Sequence, residues 1–300
     1  MKSLIAARHS WFEATARARL AGLLDAGSRC EIMPPAASEA SPHLAVLDIP
    51  GAFDDGVVVG SGQLAGQPVL FAAQEGQFMG GAVGEIHGAK IVGLLRRAMR
   101  EKPAAVLFLI DSGGVRLHEA NAGLIAISEI MRAVLAARAA GIPVLALVGG
   151  SCGAFGGMGI VAKLCSAILI SEEGRLALSG PEVIETVAGV EEFDSKDRSL
   201  VWRVTGGKHR YLMGDCASLV EDDLAAFRLG AIDFLAQWQE PAPSVANLRV
   251  TQKVLEDRLA AYASFRDGLQ VWAALGIAEP EAVPMLDRDE LVALKEGLPT

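Results

Sequence analysis

Positive charge is in short supply in this chain of 300 residues: 27 Lys and Arg stand against 36 Asp and Glu, a formal net charge of −9. Gripping a phosphate backbone takes clustered cations, so this balance speaks against a nucleic-acid partner. Cysteine is scarce as well. Cys30, Cys152, Cys165 and Cys216 are widely scattered, with no C-x-x-C pair, which argues against a zinc site or a disulfide framework and fits a reducing compartment. No apolar run reaches the roughly 20 residues of a membrane span. Residues 1–12 carry no continuous apolar stretch of the secretory kind. A cytoplasmic protein without membrane contact is therefore expected. The common nucleotide and hydrolase signatures are missing too: there is no G-x-x-x-x-G-K-[ST] and no G-x-S-x-G. Gly157-Met158-Gly159-Ile160-Val161-Ala162 approaches the dinucleotide fingerprint but begins well past a strand end, the wrong context for it.

What the chain has is apolar bulk, 51% of its residues, and 33 glycines. Two glycine-rich turns follow directly on apolar runs. Asp111-Ser112-Gly113-Gly114-Val115-Arg116 comes after residues 104–110, and Gly149-Gly150-Ser151-Cys152-Gly153-Ala154-Phe155-Gly156-Gly157 after residues 143–148. Such runs read as strands buried on both faces, as in a parallel sheet. Glycines at the carboxyl end of such a strand, before a helix, let a ligand approach backbone N–H groups. Two facing turns could hold one oxygen between two amide donors, which is an oxyanion hole.

The remaining pattern fits an α/β chain. An amphipathic helix follows Ser10, residues 33–43 read as a loop, and residues 55–73 alternate as an antiparallel meander. Helices are expected over about 83–102 and 119–140, strands over 166–171 and 175–178, and helices over 221–237, 250–275 and 288–296. Residues 190–210 read as charged and irregular. Three parts follow: 1–45 as helix and linker, 46–240 as the main domain, and 241–300 as a helical extension. His87, His118 and His209 each follow a glycine turn, yet no His/Asp pair can be assigned to Ser112 or Ser151. Cys152 likewise has no nameable base.

Several motifs together resemble one family. Residues 18–28, Asp55-Gly56-Val57-Val58-Val59-Gly60-Ser61-Gly62, Met79-Gly80-Gly81-Ala82-Val83-Gly84, the Asp111 turn and Ser179-Gly180-Pro181-Glu182-Val183-Ile184 are similar, in order, to motifs of biotin-dependent acyl-CoA carboxyltransferases. Residues 149–159 and Thr205-Gly206-Gly207-Lys208-His209-Arg210-Tyr211 bring the resemblance nearest to the beta subunits of biotin-independent malonate decarboxylases. The resemblance covers about residues 15–235. It implies a crotonase-like ββα spiral and decarboxylation of a malonyl thioester through an enolate. In that pattern the amides of Gly113, Gly114 and Val115 form one side of the oxyanion hole, and those of Gly153, Ala154 and Phe155 the other. Gly80 and Gly81 would line the channel of the thiol arm, and Lys90 and Arg116 would reach its phosphates.

The implied partners are a homologous gamma subunit, an acyl carrier protein subunit and a malonyl/acetyl transferase alpha subunit. The implied cofactor is a dephospho-CoA-derived thiol on the carrier, with neither metal nor biotin. The family's zinc-ribbon members carry four N-terminal cysteine ligands, which this chain lacks. The competing readings are a biotin-dependent carboxyltransferase subunit and a non-catalytic scaffold subunit.

Overall fold

The computed structural model describes residues 9–46, 48, 56–119, 121–242 and 244–298. One seven-stranded sheet runs in chain order: β1 (Cys30–Ile32), β2 (Val57–Leu64), β3 (Gln67–Gln74), β4 (Ala105–Ile110), β5 (Val144–Val148), β6 (Ala167–Ser171) and β7 (Ser218–Val220). The first three pair antiparallel, with β2 and β3 joined in register from Val57↔Gln74 to Leu64↔Gln67. From β3 onward every pair is parallel. The alternating meander and the later apolar runs thus become two parts of one sheet.

The helices are α1 (Ala16–Leu23), α2 (His43–Val46), α3 (Glu85–Glu101), α4 (Asn121–Ala139), α5 (Gly156–Leu164), α6 (Pro181–Ala188), α7 (Arg198–Thr205), α8 (Gly207–Leu212), α9 (Leu224–Gln237), α10 (Val245–Tyr262), α11 (Gly268–Ala274) and α12 (Arg288–Glu296). They cover both faces of the sheet, which is why its central strands are apolar at every position. Val106, Phe108, Val144, Ala146 and Ile170 point to a core shared with α3, α4 and α5. Leu107, Leu109, Leu145, Leu147 and Leu169 point to a second core, filled by α1 and α9. There Trp11 and Phe227 stack with ring centroids 4.0 Å apart. Side-chain alternation along a strand sorts these residues between the two layers.

β3, β4, β5 and β6 each continue past their ends into a glycine-containing turn and then a short extended segment. These segments touch in a second, narrow strip: Val83 bridges Val115, and Ser112 bridges Ala154, which bridges Leu176, all parallel. Strand, cross-piece and helix therefore repeat as a ββα spiral. The strand expected at residues 175–178 is one of these cross-pieces. Three other expectations change. The segment read as irregular contains α7, with its N-terminus capped by the Asp197 carboxylate. The single helix expected over 250–275 is two, α10 and α11, separated near Asp267, which caps the second. The Ser10 hydroxyl does accept from Glu13 N–H, but the helix starts later, at a Thr15 cap. Asp55 of the second family-like motif lies outside the described residues.

Candidate active site

The strip of cross-pieces is where the two glycine turns meet. Ser112 N–H donates to the Gly153 carbonyl at 2.7 Å, and Phe155 N–H donates back to the Ser112 carbonyl at 2.9 Å. At the head of α5, a Cβ added to Gly156 would lie 3.1 Å from Gly114 Cα, so the turns abut.

Beneath them lies a buried ion pair that sequence reasoning missed. Arg19 Nη1 and Asp111 Oδ2 are 2.8 Å apart, with side chains 2% and 3% exposed. Arg19 also donates through Nε to Trp11 O and through Nη2 to Phe12 O. The other Asp111 oxygen accepts from Cys152 N–H at 2.7 Å. One carboxylate thereby ties the N-terminal segment, the first turn and the second turn together. Gly150 is required at its place, because a Cβ there would fall 2.1 Å from the Asp111 carboxyl carbon. Gly81, at φ +66°, is required for the same reason: its Cβ would sit 1.8 Å from the Asp111 carbonyl oxygen. The Asp111–Arg19 link was hidden because the two residues are far apart in sequence, and Arg19 read as one more position of an amphipathic helix.

Each predicted amide can now be followed. Gly113 N–H donates to Gly80 O, Gly153 N–H to Gly150 O, Ala154 N–H to Arg175 O and Phe155 N–H to Ser112 O. Those of Gly113, Ala154 and Phe155 tie neighbouring segments together and that of Gly153 closes its own turn, so none of the four is available to a substrate oxygen in this chain as it stands, a correction to the expected donor set. Gly114 N–H makes only a long, 3.3 Å bond to Ser112 Oγ. Val115 N–H has no acceptor among the described residues. Its bridge to Val83 is built by the flanking Gly114 O and Arg116 N, which turns its own N–H away from that neighbour. In the first turn of α5, Gly157 and Met158 N–H also lack acceptors among the described residues, as helix geometry requires of early amides. The donors without a full partner are therefore Val115 on one turn and Gly157 and the buried Met158 just beyond the other. The signal for the latter pair, a helix N-terminus, was present in the sequence but was read one turn too early.

Gly80 and Gly114 have open space where a Cβ would point, but only Gly80 is exposed, while Gly114 is buried. Lys90 and Arg116 are placed otherwise than expected. Lys90 is buried and donates to the Met33 and Val57 carbonyls at 3.0 and 2.9 Å. Arg116 is buried between Glu119, the Ala82 carbonyl and the Phe78 ring. Both cations are committed inside the fold rather than offered to phosphates, a second correction. Exposure is what separates the two roles, and a helical pattern does not report it.

The histidines divide similarly. His87 is wholly buried against the Gln74 amide at 3.0 Å. His118 is exposed. His209 is buried near Trp272, and burial, reinforced by Arg210, lowers its pKa to about 3. Burial also raises the Cys152 thiol, with the Asp111 charge adding to the effect, which suits a packed thiol and not a nucleophile. Among the described residues no cluster of three His, Cys, Asp or Glu side chains could hold a metal ion. No described helix is long and apolar enough to cross a membrane.

A spiral whose glycine turns lie at the strand ends is a carboxyltransferase-type architecture. The family model "Carboxyl transferase domain" matches residues 8–257, and the chain belongs to that family. More particularly, it is similar along nearly its whole length to proteins of malonate breakdown. It is 39% identical to the malonyl-S-ACP:biotin-protein carboxyltransferase MADC of Malonomonas rubra, over 96% of both chains. A Pseudomonas malonate decarboxylase hetero-tetramer solved with malonate contains a chain 42% identical to it. That match has a TM-score of 0.80 and covers 89% of this chain and 98% of the other. A Pseudomonas MdcD–MdcE hetero-dimer gives 39% identity and a TM-score of 0.67, over 85% and 98%. The fold is accordingly the crotonase-like one that the resemblance implied.

Proposed function

We propose that this chain is the decarboxylating subunit of a malonate decarboxylase, acting on a malonyl thioester carried by an acyl carrier protein. The observation that carries the reading is the set of unengaged amides of Val115, Gly157 and Met158 on two abutting turns. In the reaction the bond between the malonyl methylene and its carboxylate breaks. CO2 leaves, and the electron pair moves to the thioester carbonyl, giving an enolate. One proton from solvent then restores the methyl group of the acetyl thioester. Charge develops on the thioester oxygen, where fixed N–H donors lower the barrier; removal of one such donor typically costs about 3 kcal/mol. Gly114, whose N–H is only weakly held, is a further donor in this scheme.

The thiol arm would run past the exposed backbone at Gly80, and what it supplies is an activated acyl thioester. Its phosphates would need cations other than Lys90 and Arg116. The site would be completed by a homologous gamma subunit. Leu117, Leu178, Val183 and Val187 support this: they are 88, 66, 55 and 83% exposed on and beside the glycine turns and α6, and apolar side chains grouped in this way mark interaction surfaces. A carrier subunit and a malonyl/acetyl transferase alpha subunit would deliver and reload the acyl group. A second reading draws on the name of the Malonomonas relative: the carboxylate could pass to a biotin protein instead of leaving as CO2.

One experiment separates the readings. CO2 release from a malonyl thioester is measured with this chain, with its homologous partner, and with both, avidin being present throughout. Release only from the mixture, indifferent to avidin, is expected. Transfer that requires a biotin protein and is stopped by avidin would overturn the decarboxylase reading.

A further inference from the structure

Arg175 packs against the second glycine turn, and no described residue supplies it with a counter-ion. Its backbone belongs to the cross-pieces: the carbonyl accepts from Ala154 N–H, and the residue bridges Gly206. The side chain is half-buried, with the guanidinium 5.5 Å from the Phe155 ring and 4.9 Å from the Trp202 ring. Nη2 donates to the Ser151 carbonyl. Nε is enclosed without an acceptor, and Nη1 makes no hydrogen bond to a described residue. No carboxylate of a described residue lies within ion-pair distance of this arginine. Asp111 and Glu182 act on it only through space, and Asp111 is already held by Arg19 and Cys152 N–H.

Burial works against the charged form of Arg175, so an arriving anion would relieve a cost that the free chain carries. Phe155 and Trp202 hold the guanidinium plane in place, which leaves less freedom to lose when an anion binds. Trp202 also lines a cavity of about 490 Å³, together with Arg198, Ser199, Lys208 and Trp272. That cavity carries cations and indole rings, and the one acid lining it, Glu172, already pairs with Lys208 at 2.9 Å.

We infer that Arg175 receives the free carboxylate of the acyl group and thereby selects malonyl over acetyl thioesters. This rests on the proposed decarboxylation for its substrate and adds the residue that recognises the group to be lost. The pair is made before reaction and disappears when the carboxylate leaves as neutral CO2, so it contributes to binding rather than to the rate of bond breaking. The acetyl product gains nothing from it.

The test uses the assembled complex with the homologous partner. Arg175→Met and Arg175→Lys are compared with the unaltered chain for KM and kcat in CO2 release. Affinities for malonyl and acetyl thioesters are measured separately by titration calorimetry. Arg175→Met is expected to weaken malonyl binding and raise KM about tenfold or more, with kcat not reduced. Acetyl affinity should stay within about twofold, and Arg175→Lys should fall between, since a lone ammonium lacks the planar fork. Should Arg175→Met fail to fold by thermal melt, Arg175→Lys carries the comparison. Equal changes for both thioesters, or no change for either, would overturn the inference. Absence of CO2 release by the unaltered complex would instead overturn the proposed reaction, while the two affinities would still show whether Arg175 distinguishes the carboxylate.

Discussion

Arg19 contacts the first glycine turn and Arg175 the second, and they show two ways of holding a guanidinium. Arg19 is saturated: a carboxylate, two carbonyls and the Trp11 ring at 5.7 Å surround it. Arg175 has two rings and one carbonyl but no anion from a described residue. A buried charge with every partner supplied from its own chain stabilises architecture. One missing only an anion is prepared for something that comes from outside. The difference separates the scaffold from the site.

Breaking the saturated side should have the largest effect. Arg19→Met leaves the Asp111 carboxylate buried and unpaired, for which about 3–5 kcal/mol of destabilisation is expected. Urea unfolding measures it, and Arg19→Met combined with Asp111→Asn should recover much of the loss, because no charge is then stranded. A second contrast concerns pH. His209 has a pKa of about 3 in the fold against 6.5 when unperturbed. The unfolded chain therefore binds more protons between those values, so stability rises with pH across that window and is complete above it. Acidifying from pH 7 to pH 5 should cost about 2 kcal/mol from this residue alone. His209→Leu should flatten the dependence, as urea midpoints at the two pH values would show. The smallest effect is expected far from both arginines. Lys253 and Asp257 form an i,i+4 pair on α10 with side chains 70% and 62% exposed, and Lys253→Ala should change the melting behaviour by less than about 0.5 kcal/mol.

Much of the frame was legible in the residues. β4, β5 and β6 were readable as apolar runs because both of their faces are covered, and a strand in that position has no polar side to confuse the pattern. The two glycine turns were readable as the centre of the molecule for the same reason, since they follow those runs. Which amides remain available was not readable. It depends on carbonyls delivered from other segments, such as Arg175 O to Ala154 and Gly80 O to Gly113. β7 escaped notice because it has only three residues, and α7 because the charged stretch before it masks a helix that buries only Val201 and Thr205. The cations were misassigned for a physical reason. Lys90 and Arg116 sit where a helix or turn normally shows its charges to solvent, but here neighbouring segments close over them.

The sheet's order equals its order in the chain. No strand has to be inserted between two that are already paired, so each new one adds at a growing edge. The cross-pieces accumulate in the same direction, from Val83 to Leu176. Assembly from the N-terminus would thus lay down the first glycine turn before the second exists, and the Ala154 amide keeps no carbonyl partner until Arg175 has been added. The half-site is in this sense the product of counting: it comes into being only when the spiral has completed its last necessary turn.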